Sequence, residues 1–330
     1  MINKISKFII SIWLVVLLIP NAWSAEELLA GQAFTDPSQL TDMPKKWREQ
    51  SIQYEKWAQG ANIAVSLDQQ LYPVLLPIIQ QYARKNGIDI AVQEGTCGIS
   101  AKGLKDKIVD IAGFCCPPSE ADRLPGIKFY TLGIAAIAIL VNSDNPINNI
   151  TIEQARQIFE GRIFRWSDIK ANSRAQRRMI QVLGRLHCKQ RPGHWRLLLD
   201  NEDLFSPRMA ELSTIPDMIM EIADDRYAIG YETLWMLKRH SDQVKTLSID
   251  SVKPTNNAKL ISGAYPLYRT YNVTTWKAIS TKNAKAQKLV KFLIEYMEQL
   301  DSQYGIVSVH KLRKAGWQFF GSELMGVPRH

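Results

Sequence analysis

Cysteine is scarce in this sequence of 330 residues, and its few thiols follow no short metal-binding motif. Four cysteines occur, at Cys97, Cys115, Cys116 and Cys188, and no two of them are separated by two residues. Zinc-finger and haem-attachment motifs need such close-spaced pairs, so both are excluded. Beyond the N-terminal region, the chain also lacks an apolar run that could span a membrane, an internal repeat and a low-complexity tract. These absences exclude a polytopic membrane protein and a repeat array.

The first residues have the pattern of a secretory signal peptide. Lys4 and Lys7 precede the apolar run FIISIWLVVLLIP, and the small residues Ala22 and Ser24 follow it. We predict cleavage after Ser24, which makes residues 1–24 the signal peptide and the mature protein periplasmic. An uncleaved anchor is the alternative, but the run is shorter than the ~20 residues of a spanning helix. No cysteine lies near the cleavage site, which argues against a lipid anchor there.

The charge of the chain is basic but not concentrated in one segment. Its formal net charge is +9. A basic surplus favours anionic partners, such as small anions or membrane surfaces, although it also fits a merely solvated surface. Because the charges are scattered and the protein is predicted to be exported, we do not expect nucleic acid as a partner.

Strands and helices are predicted to alternate after a polar N-terminal extension at residues 25–60. The strand NIAV precedes a helix with apolar residues at helical spacing, for which Ser66 and Asp68 are predicted start residues and Gly87 the end. The strands IDIAVQ and VDIAGF follow, and the order indicates a mostly parallel sheet. Ligands of such sheets bind at the carboxyl ends of strands, where the loops with Cys97 and with Cys115 and Cys116 lie.

Several motifs occur in a fixed order over roughly residues 62–320. They are EGTCGISAKGL followed by VDIAGF, then VNSDNPINNITIEQARQIFEGRIFRWSDI, RYAIGY and SGAYPLYRTYNVTTW. With these motifs the chain resembles the phosphate-binding components of ABC import systems, a family of periplasmic solute-binding proteins.

This resemblance implies an α/β fold in the form of a two-domain clamp, with mixed, mostly parallel sheets flanked by helices and two crossover strands. Domain 1 would comprise residues 61–138 plus 258–330, and domain 2 residues 139–257. The clamp would close by a hinge around a small inorganic ligand. It would then present that ligand to an inner-membrane ABC permease or a sensor kinase. The family further implies a monomer that is not an enzyme and requires no cofactor.

In the family, ligand is held by hydroxyls, by backbone N–H groups at helix starts and by an arginine. The chain keeps this framework but has thiols and imidazoles at several of these positions. Cys97 stands in a loop that is typically Gly-x-Ser-Gly, Cys115 and Cys116 replace Ser-Arg, and Arg269 is interpreted as a brace within a domain. The predicted ligand-binding residues are Ser66, Gln69, Thr96, Cys97, Gly98, Cys115, Cys116, Arg185, His187, Cys188 and His194.

Three interpretations of the thiols remain open from the sequence. The first is a site for a thiophilic metal or metalloid ion, with Cys97, Cys115, Cys116, Cys188 and His187 as ligands. The second is an oxyanion site that uses backbone N–H groups with Arg185 or Arg191, the cysteines being S–H donors or disulfides. The third is a Cys188 nucleophile paired with His187 or His194, for which the sequence offers no evident orienting acid.

Overall fold

Strands and helices alternate along the chain in the order that the sequence predicts. The computed structural model describes residues 34–169, 178–185, 198–199, 202–239, 242–277, 281–300 and 304–328. Its strands are β1 (Ile63–Asp68), β2 (Ile90–Gly95), β3 (Ile111–Phe114), β4 (Ile127–Asn142), β5 (Asn149–Ile150), β6 (Gln181–Gly184), β7 (Ala210–Glu211), β8 (Ala228–Thr233), β9 (Val244–Thr246), β10 (Ser248–Ile249), β11 (Tyr268–Trp276), β12 (Ile306–Ser308), β13 (Gln318–Phe320) and β14 (Glu323–Gly326). Its helices are α1 (Lys45–Glu49), α2 (Tyr72–Asn86), α3 (Cys97–Lys105), α4 (Ile152–Phe159), α5 (Ile215–Asp224), α6 (Asn257–Ile261), α7 (Ala284–Tyr296) and α8 (Val309–Lys314).

The first βα unit follows from its local sequence, with one difference from the prediction. Gly87 ends α2 with a left-handed φ of 59°, as its position in the sequence predicts. Ser66 and Asp68, however, belong to β1 and do not start the helix. The parallel pairing of β1 with β2 extends the strand as far as Asp68, which lies opposite Gly95, and the helix begins at Tyr72.

One mixed sheet connects most of the strands. Its order is β2-β1-β3-β11-β4-β8-β6-β7, and β9 and β12 also pair with β4. At one end β1 is parallel to β2 and β3, and at the other β6 is parallel to β7 and β8. Since parallel strands end at a common edge, the loops after β1, β2 and β3 lie together. The predicted α/β class with mixed sheets flanked by helices is confirmed.

Strand β4 connects the two ends of this sheet. It is 16 residues long, and its side chains are buried from Thr131 to its end. Its first part pairs with β11, and its last part pairs with β8. The predicted domain boundary at 138/139 falls inside β4, and the boundary at 257/258 falls at the start of α6. The division into two domains stays a prediction.

The described part of the N-terminal extension packs against the turn between α3 and β3. The Trp47 indole N–H donates to the Lys105 carbonyl oxygen at 2.6 Å, and the Tyr54 hydroxyl donates to the Asp110 carboxylate. Within the described ranges of the chain, no helix has the length and apolar character needed to cross a membrane.

Candidate ligand site

The end of β1 supplies the first polar side chains of the site. Ser66 is fully buried inside β1, where its Oγ lies 3.3 Å from Oγ of Ser100 on α3. Asp68 is also buried, and its Oδ1 accepts the backbone N–H of Gln70 at 2.7 Å. Gln69 directly follows β1, and its side chain contacts Arg185: Oε1 of Gln69 accepts a hydrogen bond from Nη2 of Arg185 at 3.3 Å.

The start of α3 supplies the second group. Thr96 is the N-cap residue, and its Oγ1 accepts the backbone N–H of Ile99 at 3.2 Å. Threonine suits this position because its hydroxyl satisfies one of the N–H groups that a helix start leaves without a partner in the helix. Cys97 is the first helical residue and is buried, whereas Gly98 is exposed.

Three thiols meet where α3 begins and β3 ends. Cys115 and Cys116 directly follow β3 and are buried, as is Cys97. The sulfur atoms of Cys97 and Cys115 are 3.6 Å apart, those of Cys115 and Cys116 are 4.0 Å apart, and all three lie within 4.8 Å of one another. A disulfide bond is about 2.05 Å long, so these sulfurs are in contact but not bonded to one another. We call these three residues the cysteine cluster.

An arginine from β11 lies against the cysteine cluster. Arg269 is 3% exposed, and its Nη1 donates to Sγ of Cys115 at 3.1 Å. Although burial alone would lower the pKa of Arg269, the neighbouring Cys115 and Glu232 hold it above the usual range. Arg269 is therefore a permanent positive charge at the thiols, and thiolates near such a charge are favoured. Its contact with Cys115 goes beyond the bracing role predicted from the sequence.

The carboxyl group of Asp68 is the other charged neighbour of Cys115. Burial, followed by the adjacent Cys115, holds the pKa of Asp68 well above its usual range. Among the described residues, its Oδ2 has no hydrogen-bond partner. Two charged residues thus lie beside the cysteine cluster: the guanidinium group of Arg269 and the buried carboxyl group of Asp68.

A buried carboxylate joins the arginines of the site. Glu232 lies near the end of β8, beside Arg185, which directly follows β6. Its Oε2 accepts from Nη1 of Arg185 at 3.0 Å, and its Oε1 lies 3.5 Å from Nη2 of Arg269. Gln70 also donates through Nε2 to Oε1 at 2.8 Å. The loop after β1 is therefore linked through Glu232 to both arginines.

The structure brings many of the predicted site residues to the same edge of the sheet. Cys97, Cys115 and Cys116 form the cluster, and Arg185 reaches it through Glu232 and Arg269. The predictions for His187, Cys188, Arg191 and His194 fall outside the described residues. Sequence reasoning missed Asp68 as a site group and Glu232 altogether. The available signal was an acidic residue near the carboxyl end of a buried strand, in VSLD and in IGYE.

The family model that describes a PBP superfamily domain matches residues 53–296. Among curated proteins, the chain is 24% identical over 268 residues to the "Phosphate-binding protein PstS" of Bacillus subtilis, with 80% of this chain and 84% of that protein covered. It is 22% identical over 307 residues to "Protein SphX" of Synechococcus elongatus, with 82% of this chain and 88% of that protein covered.

Solved structures show the same fold at lower identity. A putative phosphate ABC transporter substrate-binding protein from Clostridium perfringens, solved with bound phosphate, gives a TM-score of 0.64 at 15% identity and covers 75% of this chain and 99% of its own. An ABC-type phosphate transport receptor from Vibrio cholerae gives 0.60 at 19% identity and covers 74% of this chain and 99% of its own. The resemblance predicted from the ordered motifs is confirmed, and the chain belongs to the PBP superfamily.

Proposed function

We propose that this protein is the periplasmic solute-binding component of an ABC import system and captures a small inorganic ligand. The family assignment supports binding, since the similar PstS proteins are named phosphate-binding proteins and two similar structures are described as transport components. The signal-peptide pattern supports the periplasmic location. Release to an inner-membrane permease is the expected outcome of capture, and a sensor kinase is the alternative receiver.

Capture would proceed by closure of two halves over the site. The loops after β1, β2 and β3 supply Gln69, Gln70 and the cysteine cluster, while Arg185 follows β6 and Glu232 lies in β8, towards the other end of the sheet. Contacts between Gln70 and Glu232 and between Gln69 and Arg185 link the two groups of loops. A hinge that opens these contacts would admit the ligand, and its closure would bury it.

The ligand that the site favours is a thiophilic metal or metalloid ion, and the cysteine cluster is the observation that carries this proposal. Sulfur ligands select soft ions over hard oxyanions. Neighbouring sulfurs lie about 3.8 Å apart in a tetrahedral site with Zn–S bonds of about 2.3 Å. Two of the three distances, 3.6 and 4.0 Å, bracket that value and the third lies within 4.8 Å, so a shift of about 1 Å at most brings the three sulfurs to the spacing of one ion's ligands. The ion is the cargo and not a resident cofactor.

A phosphate-type oxyanion is the second candidate. Arg185, together with the N-terminus of α3 behind the Thr96 cap, provides donor types that bind oxyanions. The similar proteins from Bacillus subtilis and Clostridium perfringens are both described in terms of phosphate. On this reading the thiols are small S–H donors. We do not favour catalysis by Cys188, since the similar proteins are named as binding proteins.

The test compares thermal stability of the reduced protein with arsenite, Cu⁺, Zn²⁺ and inorganic phosphate as separate probes. A ligand at 100 times its Kd stabilises the folded state by about 2.7 kcal/mol, which raises the melting temperature by several degrees. We expect such a rise with at least one thiophilic probe and its loss in Cys97→Ala. Ser100→Ala is the matched control, since it removes a buried side-chain atom from the same helix but leaves the cluster intact. If phosphate is the one probe that stabilises the protein, the thiophilic-ion proposal is wrong and the ligand is an oxyanion.

A further inference from the structure

Hydrogen-bond donors surround both carboxylate oxygens of Glu232. It is 0% exposed. Its Oε2 accepts from Arg185 and its Oε1 from Nε2 of Gln70, while Nη2 of Arg269 lies 3.5 Å from Oε1. Oε1 also accepts the backbone N–H of Thr233 at 2.8 Å, and the Thr233 hydroxyl, which donates to Gln70, lies 3.2 Å from Oε1.

The donors around Glu232 are of the types that bind a free oxyanion: two guanidinium groups, an amide, a backbone N–H and a hydroxyl. Here they converge on an anion that belongs to the chain. A free phosphate that approached the same donors would lie beside the Glu232 charge and would have to displace it. Like charges brought together at a binding site weaken binding strongly.

We infer that Glu232 is a specificity-determining residue, an internal anion that occupies the arginine pair and excludes free oxyanions from the site. This inference rests on the proposed solute-binding function and deepens it. With the charge of the arginine pair offset by Glu232, the described side chains that suit a thiophilic ion are the cysteine cluster and Asp68. Selectivity for thiophilic ions then has two parts, attraction by the sulfurs and rejection of oxyanions by Glu232.

The experiment measures inorganic phosphate binding by calorimetry to the wild-type protein and to Glu232→Gln. Glutamine keeps the size and one acceptor oxygen but removes the negative charge. We expect phosphate binding by the wild type to stay below the detection limit, and Glu232→Gln to bind phosphate with an affinity roughly 100-fold above that limit. Glu323→Gln is the matched control, because Glu323 forms a buried ion pair with Arg123 away from the site. This control should gain no phosphate binding.

Loss of a buried carboxylate beside two arginines can prevent folding, so a second variant is needed. Glu232→Asp keeps the charge but withdraws the carboxylate from its donors. If Glu232→Gln does not fold even in phosphate, we expect Glu232→Asp to bind phosphate weakly and the wild type not at all. Tight phosphate binding by the wild type overturns the inference, as does a lack of gain in whichever variant folds.

Arsenite and Zn²⁺ titrations of the same proteins separate this inference from the proposed ligand. If the wild type binds a thiophilic ion but the variants gain no phosphate binding, the role of Glu232 is wrong and the thiophilic ligand stands. If the variants gain phosphate binding but no protein binds a thiophilic ion, Glu232 excludes oxyanions and the proposed cargo is wrong.

Discussion

Asp68 combines deep burial with an oxygen that finds no partner among the described residues. Its Oδ1 accepts two backbone N–H groups, from Gln70 at 2.7 Å and from Leu71 at 3.4 Å, whereas its Oδ2 accepts none. Burial and the neighbouring Cys115 raise the pKa of its carboxyl group. The folded protein therefore disfavours the ionised form of this carboxyl group relative to an unfolded chain. Because Oδ1 accepts the backbone N–H groups, Oδ2 is the oxygen that is left to interact with the cysteine cluster.

Replacement of Asp68 by asparagine should change how the stability of the protein depends on pH. The pKa of Asp68 is higher in the folded state than the ordinary value of about 3.9 for an unfolded chain. Between these two pKa values the folded state binds more protons than the unfolded state. The contribution of Asp68 to the free energy of unfolding is therefore complete below about pH 3.9 and is lost as pH rises through the folded pKa. In Asp68→Asn this loss of stability with rising pH should disappear, while the hydrogen bond between Oδ1 and the backbone N–H of Gln70 is kept. Urea unfolding across a pH series measures the free energy of unfolding.

Asp36→Asn is the control, because the pKa of Asp36 is shifted in the opposite direction to that of Asp68. The Ser38 hydroxyl and backbone N–H lower the pKa of Asp36, so its contribution is present above the unfolded pKa and is lost on acidification. Removal of Asp36 should therefore flatten the acid side of the profile. Profiles of wild type and Asp68→Asn that coincide above pH 4 would contradict the assignment of the raised pKa to Asp68.

At this scale the sequence was informative about thiols but not about the charges around them. Cys97, Cys115 and Cys116 lie in loops after predicted strands, and parallel pairing brings such loops together. Glu232 and Gln70 are 162 residues apart in sequence, and no local pattern relates them. An acidic residue at a strand end is ordinarily a turn or cap residue, so the burial of Glu232 could not be predicted without its pairing with Ala138 of β4.

The turn between α3 and β3 fixes the N-terminal extension through one lysine. Lys107 is 1% exposed and has a positive φ of 55°. Its Nζ donates to the carbonyl oxygens of Trp47 and Gln50 and lies 4.3 Å from the Trp47 ring centre. Helix α1 has five residues and buries none of them, and isolated helices this short are not stable in water. The extension therefore depends on contacts such as these.

Lys107→Met should release the extension from the remainder of the protein. The change removes charge-assisted hydrogen bonds to the backbone carbonyls of Trp47 and Gln50, which we expect to cost about 1.5 to 3 kcal/mol of unfolding free energy. Hydrogen exchange at residues 45–50 should rise most. Lys105→Met is the matched control, because Lys105 is exposed two positions away. Equal exchange in both variants would show that Lys107 does not hold the extension.

The elements themselves were largely predictable, but the start of α2 was not. Val74, Leu75, Ile78 and Ile79 are the buried face of α2, as their helical spacing predicts. The start of α2 was placed too early, since Ser and Asp favour helix starts in isolation. Pairing of Ser66 and Asp68 with Gln93 and Gly95 on β2 overrides that preference. Sheet pairing is a tertiary contact and leaves no mark in the local sequence.

Over the whole molecule, β4 runs unbroken between the two ends of the sheet, and side-chain contacts between the loops at the site hold those ends together. Strand β4 runs through 16 residues and pairs with β11 at its start and with β8 at its end. Away from the strand, Gln70 links the loop after β1 to Glu232 and Thr233. These side-chain contacts are weaker than the strand, so we expect opening to break them and leave β4 intact.

Gln70→Ala should therefore shift the protein toward an open form. The substitution removes hydrogen bonds to Glu232 at 2.8 Å and from the Thr233 hydroxyl at 2.9 Å, contacts that join residues from the two predicted domains. We expect a larger radius of gyration by small-angle X-ray scattering and a roughly tenfold weaker affinity for the thiophilic probe, because a ligand that needs the closed form binds in proportion to its population. Gln53→Ala, which alters an exposed side chain bonded to Ser51, should change neither quantity. If Gln70→Ala keeps both the wild-type radius and the wild-type affinity, these contacts do not control closure.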